Sequence, residues 1–156
     1  MRTIVTAGLL FAGFAATSAG ASAPTVPLHA QQAIKQRTAL YAYVPARVPL
    51  GFRYYRWSFT PKPAALRIAF RNKAGWGISF VASVQAACAG AGKEKSFQLD
   101  GNKVYWSHTA VAQQAWRCVV GRNHALIRLT ASTTVPPAKF SDSGLGQVAA
   151  AGRRVG

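Results

Sequence analysis

Between residues 40 and 132 apolar and polar positions alternate in short runs, the period-two pattern of strands with one buried face. The clearest run is Ala64 to Arg71, where Leu66, Ile68 and Phe70 point inward while Arg67 and Arg71 point outward. Asn72-Lys73-Ala74-Gly75 turns the chain into a second strand, Trp76 to Ala87. From Ser96 to Ser132 the pattern predicts two consecutive hairpins with turns at Asp100-Gly101-Asn102 and Gly121-Arg122-Asn123, because Gly and Asn tolerate the positive φ of tight connections. Tyr41 to Val44 alternates like an entering strand, and Pro45, Pro49 and Gly51 then impose an extended bend. Phe52 to Phe59 (FRYYRWSF) is strongly β-prone with aromatics on both faces, which predicts a bulge or two-sided burial before Pro61 and Pro63 end it.

Helical patterning is confined to the two ends. Leu28 to Thr38 predicts a short, poorly patterned helix behind a stiff Pro24 to Pro27 leader. After the Pro136-Pro137 break, Ser141 or Asp142 caps a closing helix, with Phe140 as a staple. Leu145, Val148 and Ala149 share one face of that helix, and Arg153 and Arg154 suit its negative end. Gly144, Gly146 and Gly152 weaken it, so it must lean on a sheet. The sum is an α+β fold, an antiparallel β-sheet of about six strands with a C-terminal helix packed on one face. A small closed β-barrel is the alternative.

The apolar run Ile4 to Ala16 follows Met1-Arg2 and precedes small residues, so residues 1–21 read as a signal peptide cut after Ala21. The run is shorter than the roughly 20 residues needed to span a bilayer. Residues 22–39 are then a leader, and residues 40–156 form one β-rich domain with its C-terminal helix. The product is expected to be secreted, periplasmic or held in the cell envelope. Export places Cys88 and Cys118, the two cysteines, in an oxidising space. Parity supports their pairing: Trp76, Ile78, Phe80, Val84 and Cys88 share a face, as do Trp116, Cys118 and Val120, so both sulfurs are expected in one core beside tryptophans.

Charge changes the picture most. Nineteen Lys and Arg oppose Glu94, Asp100 and Asp142, a net charge of +16, which draws a protein toward anionic polymers or membrane surfaces. The same excess also serves solubility. A candidate anionic-ligand face comprises Arg67, Arg71, Lys103, Tyr105, Arg117 and Arg128, read as the outward residues of their strands, since Arg grips phosphate in a fork and aromatic rings stack on bases or sugars. Candidate partners are an anionic polymer, membrane headgroups or a protein, with nucleic acid kept among the polymers.

The sequence argues against catalysis. The carboxylates fall in a loop, a turn and a helix cap, and His29, His108 and His124 are dispersed. Ser107 and His108, as strand neighbours, point to opposite faces and cannot act as nucleophile and base. Three His without clustered carboxylates do not make a metal site, and the Gly-rich segment Ala89 to Lys95 lacks the phosphate-loop spacing and reads as a linker. No cofactor, metal or catalytic residue is assigned.

Tyr43-Val44-Pro45 followed by Val48-Pro49-Leu50-Gly51-Phe52, the strand pair around Gly75, the Leu99-Asp100-Gly101 turn, Trp116 before the Gly121 turn and the helix Ser141 to Arg153 carry a resemblance. Over residues 40 to 155 the chain resembles a bacterial extracytoplasmic domain-of-unknown-function family found in anti-sigma-factor-like and lipoprotein-carrier-like envelope proteins. The resemblance implies a curved antiparallel sheet with a C-terminal helix and no assigned catalytic residues. Cys88 and Cys118 depart from the family pattern. The leading reading is a secreted non-enzymatic envelope domain that binds through a basic sheet face. An extracytoplasmic sensor or regulatory partner-binding domain is the second reading, and a small secreted hydrolase the third.

Overall fold

The computed structural model describes residues 24–88, 94–108, 112–134 and 142–156. In chain order its elements are helix α1 (Leu28–Thr38), strands β1 (Tyr43–Pro45), β2 (Arg53–Pro61), β3 (Ala64–Arg71), β4 (Gly77–Val84), β5 (Lys95–Leu99), β6 (Asn102–His108), β7 (Gln113–Val120) and β8 (Leu126–Thr133), helix α2 (Asp142–Ala150) and strand β9 (Gly152–Arg154). Strands β2 to β8 form one antiparallel sheet in the order β2-β3-β4-β8-β7-β6-β5, and β1 pairs with β9 separately. The main sheet therefore has seven strands rather than about six, and β2 and β5 remain as its open edges, so it is not a closed barrel. The expected signal peptide, the Pro136-Pro137 break, the Phe140 staple and the Ser141 cap lie outside the described residues, as does most of the Ala89 to Lys95 linker.

Alternation explains the middle of the sheet directly. Leu66, Ile68 and Phe70 on β3, Ile78, Phe80 and Ala82 on β4, and Ile127, Leu129 and Ala131 on β8 are all buried on one face, where each large side chain contributes about 1.5–3 kcal/mol. Helix α2 covers this inner face over β6, β7 and β8, inserting Leu145, Val148 and Ala149. Two glycines allow a close approach here: a Cβ on Gly146 in α2 would lie 2.6 Å from Phe97 Cζ, and one on Gly152 at the start of β9 would lie 2.7 Å from Leu129 Cδ1. Gly146, which weakens the helix locally, is the residue that lets it reach the sheet. Helix α1 packs toward β2 and places Ala30 and Ile34 in the same apolar cluster as the sheet, together with Val26.

Three boundaries differ from the sequence expectation, each for a local reason. The β4 strand stops at Val84, and the closing helix stops at Ala150, so Arg153 and Arg154 stand in β9, paired with Val44 and Tyr43, instead of ending the helix. In the second hairpin Gly121 is extended, with φ −85° and ψ −166°, and the positive φ falls on Asn123 and His124 in a single 3-10 turn. His124 is thus a turn residue and not a strand residue. The first hairpin follows the expected chemistry, with φ of 49° at Asp100 and 73° at Gly101. The register of β2 against β3 shifts between Tyr54 and Arg56, a bulge where the doubly aromatic pattern predicts one.

Candidate anionic-ligand face

Cross-strand register defines the outer face of the sheet, the one away from α2. Arg56 on β2 stands opposite Ala69, Ala69 opposite Ser79, Ser79 opposite Ser132, Ser132 opposite Gln114 and Gln114 opposite Ser107. Beyond its arginine that row begins with the small residues Ala69, Ser79 and Ser132, which make a low floor. Arg67 and Arg71 flank Ala69 on the same face of β3, which leaves Arg56 diagonal to both, about 7 Å away between backbones. The three arginines rim a groove of about 410 Å³ whose floor includes Ala69, Gly77, Ser79 and Ser132. Among the described residues no Asp or Glu lines it.

The bulge at Tyr55 shapes one end of this groove. Tyr55 is 47% exposed, and the Arg71 guanidinium carbon lies 4.0 Å and that of Arg56 5.5 Å from its ring centroid. Arg67 Nη1 lies 3.4 Å from Ser79 Oγ, at the long limit of a hydrogen bond. A second recess of about 550 Å³ adjoins, lined by Gly51, Arg53, Arg71, Asn72, Lys73 and Ala74. Arg53, Arg56 and Tyr55 escape the simple alternation rule because the bulge shifts its parity after Tyr54. The signal was present in FRYYRWSF, where a run that is aromatic on both faces cannot keep one register.

The remaining candidates divide. Lys103 and Tyr105 share the outer face, with the Lys103 ammonium 5.1 Å from the Tyr105 ring centroid. Tyr105 stacks on Trp116 at 5.8 Å and 15°, and Arg128 lies over Trp116 at 4.2 Å. Burial pushes the Arg128 guanidinium below the usual arginine value, and the charge of Glu94 acts the other way.

Arg117 does not belong to this face. Strand β7 is turned over relative to the expectation: Cys118 pairs with Arg128 and Trp116 with Thr130, so both sit on the outer side, whereas Arg117 pairs with the core residue Leu129 and points toward α2. There its Nε donates to the Ala149 carbonyl at 3.1 Å and its Nη1 to Asn102 Oδ1 at 2.7 Å, and its Nη2 donates to the Gly152 carbonyl. Burial lowers its pKa, and Tyr43 acts in the raising direction. Strand β7 carries apolar residues on both faces, Ala115 and Val119 on one and Trp116 and Val120 on the other, so parity has no way to choose between them.

Cys88 and Cys118 are disulfide-bonded, with a Cα–Cα distance of 5.8 Å. Their bond is not in the main core as parity implied, because β4 ends before Cys88 and Cys118 faces outward. It pins the start of the β4–β5 connection across the outer face of β7. Trp116 Nε1 donates to the Cys88 carbonyl at 3.0 Å, and Trp116 is 1% exposed although it stands on the outer face.

The groups weighed for catalysis stay apart. His108 stacks on Trp106 at 5.2 Å on the inner side, and Ser107 accepts a hydrogen bond from Gln114 Nε2 at 3.0 Å on the outer side. His29 is exposed on α1 and His124 on its turn. Among the described residues no three His, Cys, Asp or Glu side chains come together in a metal-holding group, and no helix is long and apolar enough to cross a membrane. The architecture is an open antiparallel sheet, covered by a helix on one face and lined with cations on the other. No protein-family model, curated protein or solved structure matches the chain.

Proposed function

We propose that the protein is an exported, non-enzymatic cell-envelope domain that holds an anionic polymer on the outer face of its sheet. The observation that carries this reading is the groove rimmed by Arg56, Arg67 and Arg71, three exposed guanidiniums over a floor that includes Ala69, Gly77, Ser79 and Ser132, with no carboxylate in the lining among the described residues. Guanidinium donors match phosphate and carboxylate geometry in pairs, and a cluster without internal ion pairs keeps those donors for a ligand. Acidic residues are scarce throughout, and Asp100 already faces Arg47 at 3.4 Å. Export rests on the N-terminal charge and apolar pattern and is in keeping with the internal disulfide.

Salt titration tests the binding. Affinity for anionic polymers is expected at low salt and to fall linearly in log K against log salt as counterions are released. No affinity for phosphate polymer, anionic vesicle or nucleic acid at low ionic strength would sink the reading. Mass spectrometry of the product from its native host tests export, and an N-terminus at Ser22 is the expected result.

A further inference from the structure

The two basic recesses meet at one side chain. Arg71 lines the groove with Arg56 and Arg67 and also lines the adjoining recess with Arg53 and Lys73. Arg53 is its register partner across β2 and β3. Arg67 and Arg71 are themselves separated by about 13 Å of strand. A single phosphate satisfies one or two guanidinium forks, so five cations spread over two joined recesses suit a chain of successive anions. The Tyr55 ring, 4.0 Å from the Arg71 guanidinium carbon, holds that guanidinium at the junction. Stacking leaves the N–H edges open to a ligand and removes rotamer freedom that binding would otherwise have to quench.

The aromatic rings say what kind of chain. Proteins that hold single-stranded nucleic acid present aromatic platforms on which bases stack. Here, among the described residues, the outer-face rings carry cations: Tyr55 under Arg71 and Arg56, Tyr105 under Lys103, and Trp116 under Arg128. Trp57, Tyr54 and Phe59 pair with Ile68, Phe70 and Leu66 and so lie on the inner side. Trp57 and Phe70 also line the groove, but their register turns both rings to the inner side, and the outer floor of Ala69, Gly77, Ser79 and Ser132 can approach a phosphate but cannot stack a base.

Resting on the anionic-polymer reading above, we infer that the ligand is a linear, base-free chain of successive phosphates, of the polyphosphate or polyol-phosphate kind, laid across both recesses. Arg71 contacts it at the junction and Tyr55 is the positioning residue for Arg71.

Calorimetric titration of the purified full chain tests this with orthophosphate, tripolyphosphate, long-chain polyphosphate, poly(glycerol phosphate) and an oligothymidylate of matched charge. Affinity is expected to rise by about tenfold or more from orthophosphate to tripolyphosphate, one extra charge-assisted contact being enough for that. Binding of either base-free polymer supports the inference, and their ratio identifies the source. Arg71→Ala is expected to weaken tripolyphosphate about tenfold and to reduce the salt slope by about one, while Arg122→Ala, at the opposite end of β8, changes neither. Tyr55→Phe keeps the affinity and Tyr55→Ser loses several-fold, with the thermal midpoint of each variant showing that it is folded. If polymers bind but Arg71→Ala costs no more than Arg122→Ala, or affinity is flat with phosphate number, or oligothymidylate binds more tightly than polyphosphate, the inference falls and the broader reading stands. If no polymer binds at low salt, the broader reading falls first.

Discussion

The two faces of the main sheet both carry arginine, and they use it in opposite ways. On the inner face Arg117 spends its donors on the carbonyls of Ala149 and Gly152 and on Asn102 Oδ1, tying the end of α2 and the start of β9 to the sheet. On the outer face Arg71 and Arg128 lie on aromatic rings, and Arg56, Arg67 and Arg71 rim an open groove. The difference comes from what each guanidinium meets. At a helix C-terminus the last carbonyls lack intrahelical partners, so a cation placed there is consumed by structure. Over a sheet face whose backbone is already paired no such acceptors are free, so the charge stays available to a ligand.

The largest expected effect lies where the outer face is tied down. Replacing Cys88 and Cys118 with Ser is expected to lower unfolding free energy by about 3–4 kcal/mol, through release of a 30-residue closure, measured by urea denaturation. Arg117→Ala follows, at about 3 kcal/mol, because it strips three hydrogen bonds from a partly buried junction. It is expected to leave polymer affinity within about twofold, since Arg117 touches nothing on the outer face; a loss of binding with stability intact would reverse the assignment of the two faces. Converting Arg56, Arg67 and Arg71 together to Ala is the mirror experiment. Affinity should fall by about a hundredfold, or about 2.7 kcal/mol, while stability moves by no more than about 0.5 kcal/mol, because exposed side chains away from caps and cores contribute little to folding. Filling the floor with Ala69→Trp sharpens the point by blocking the groove without removing charge, and a drop of about tenfold in affinity is expected. The smallest single contribution is the hydrogen bond from Trp116 to the Cys88 carbonyl, about 1 kcal/mol, and Trp116→Phe is expected to cost at least that in urea denaturation because it also empties buried volume.

What local stereochemistry can decide was legible along the chain. Alternation in β3 and β8 assigned the faces of Leu66, Ile68, Phe70, Ile127 and Leu129, hence the outward direction of Arg67, Arg71 and Arg128. The Asp100-Gly101 turn followed from residues that tolerate a positive φ, and the bulge in β2 was one of the two outcomes its doubly aromatic pattern allowed. The rest was settled by packing, wherever two elements had to meet. Strand β7 is apolar on both faces, so its orientation came from pairing with β8, and with it the fates of Arg117, Trp116 and Cys118. Gly146 in α2 and Gly152 in β9 read as local weakness because nothing in their own segment reveals that Phe97 and Leu129 will stand where their Cβ atoms would be. The groove shares this character: Arg56, Arg67 and Arg71 belong to two strands whose bulged register alone brings them to one rim. Side-chain direction is a property of one strand and is written in its neighbours along the chain, whereas the convergence of charges is a property of pairing and is decided only when the strands meet.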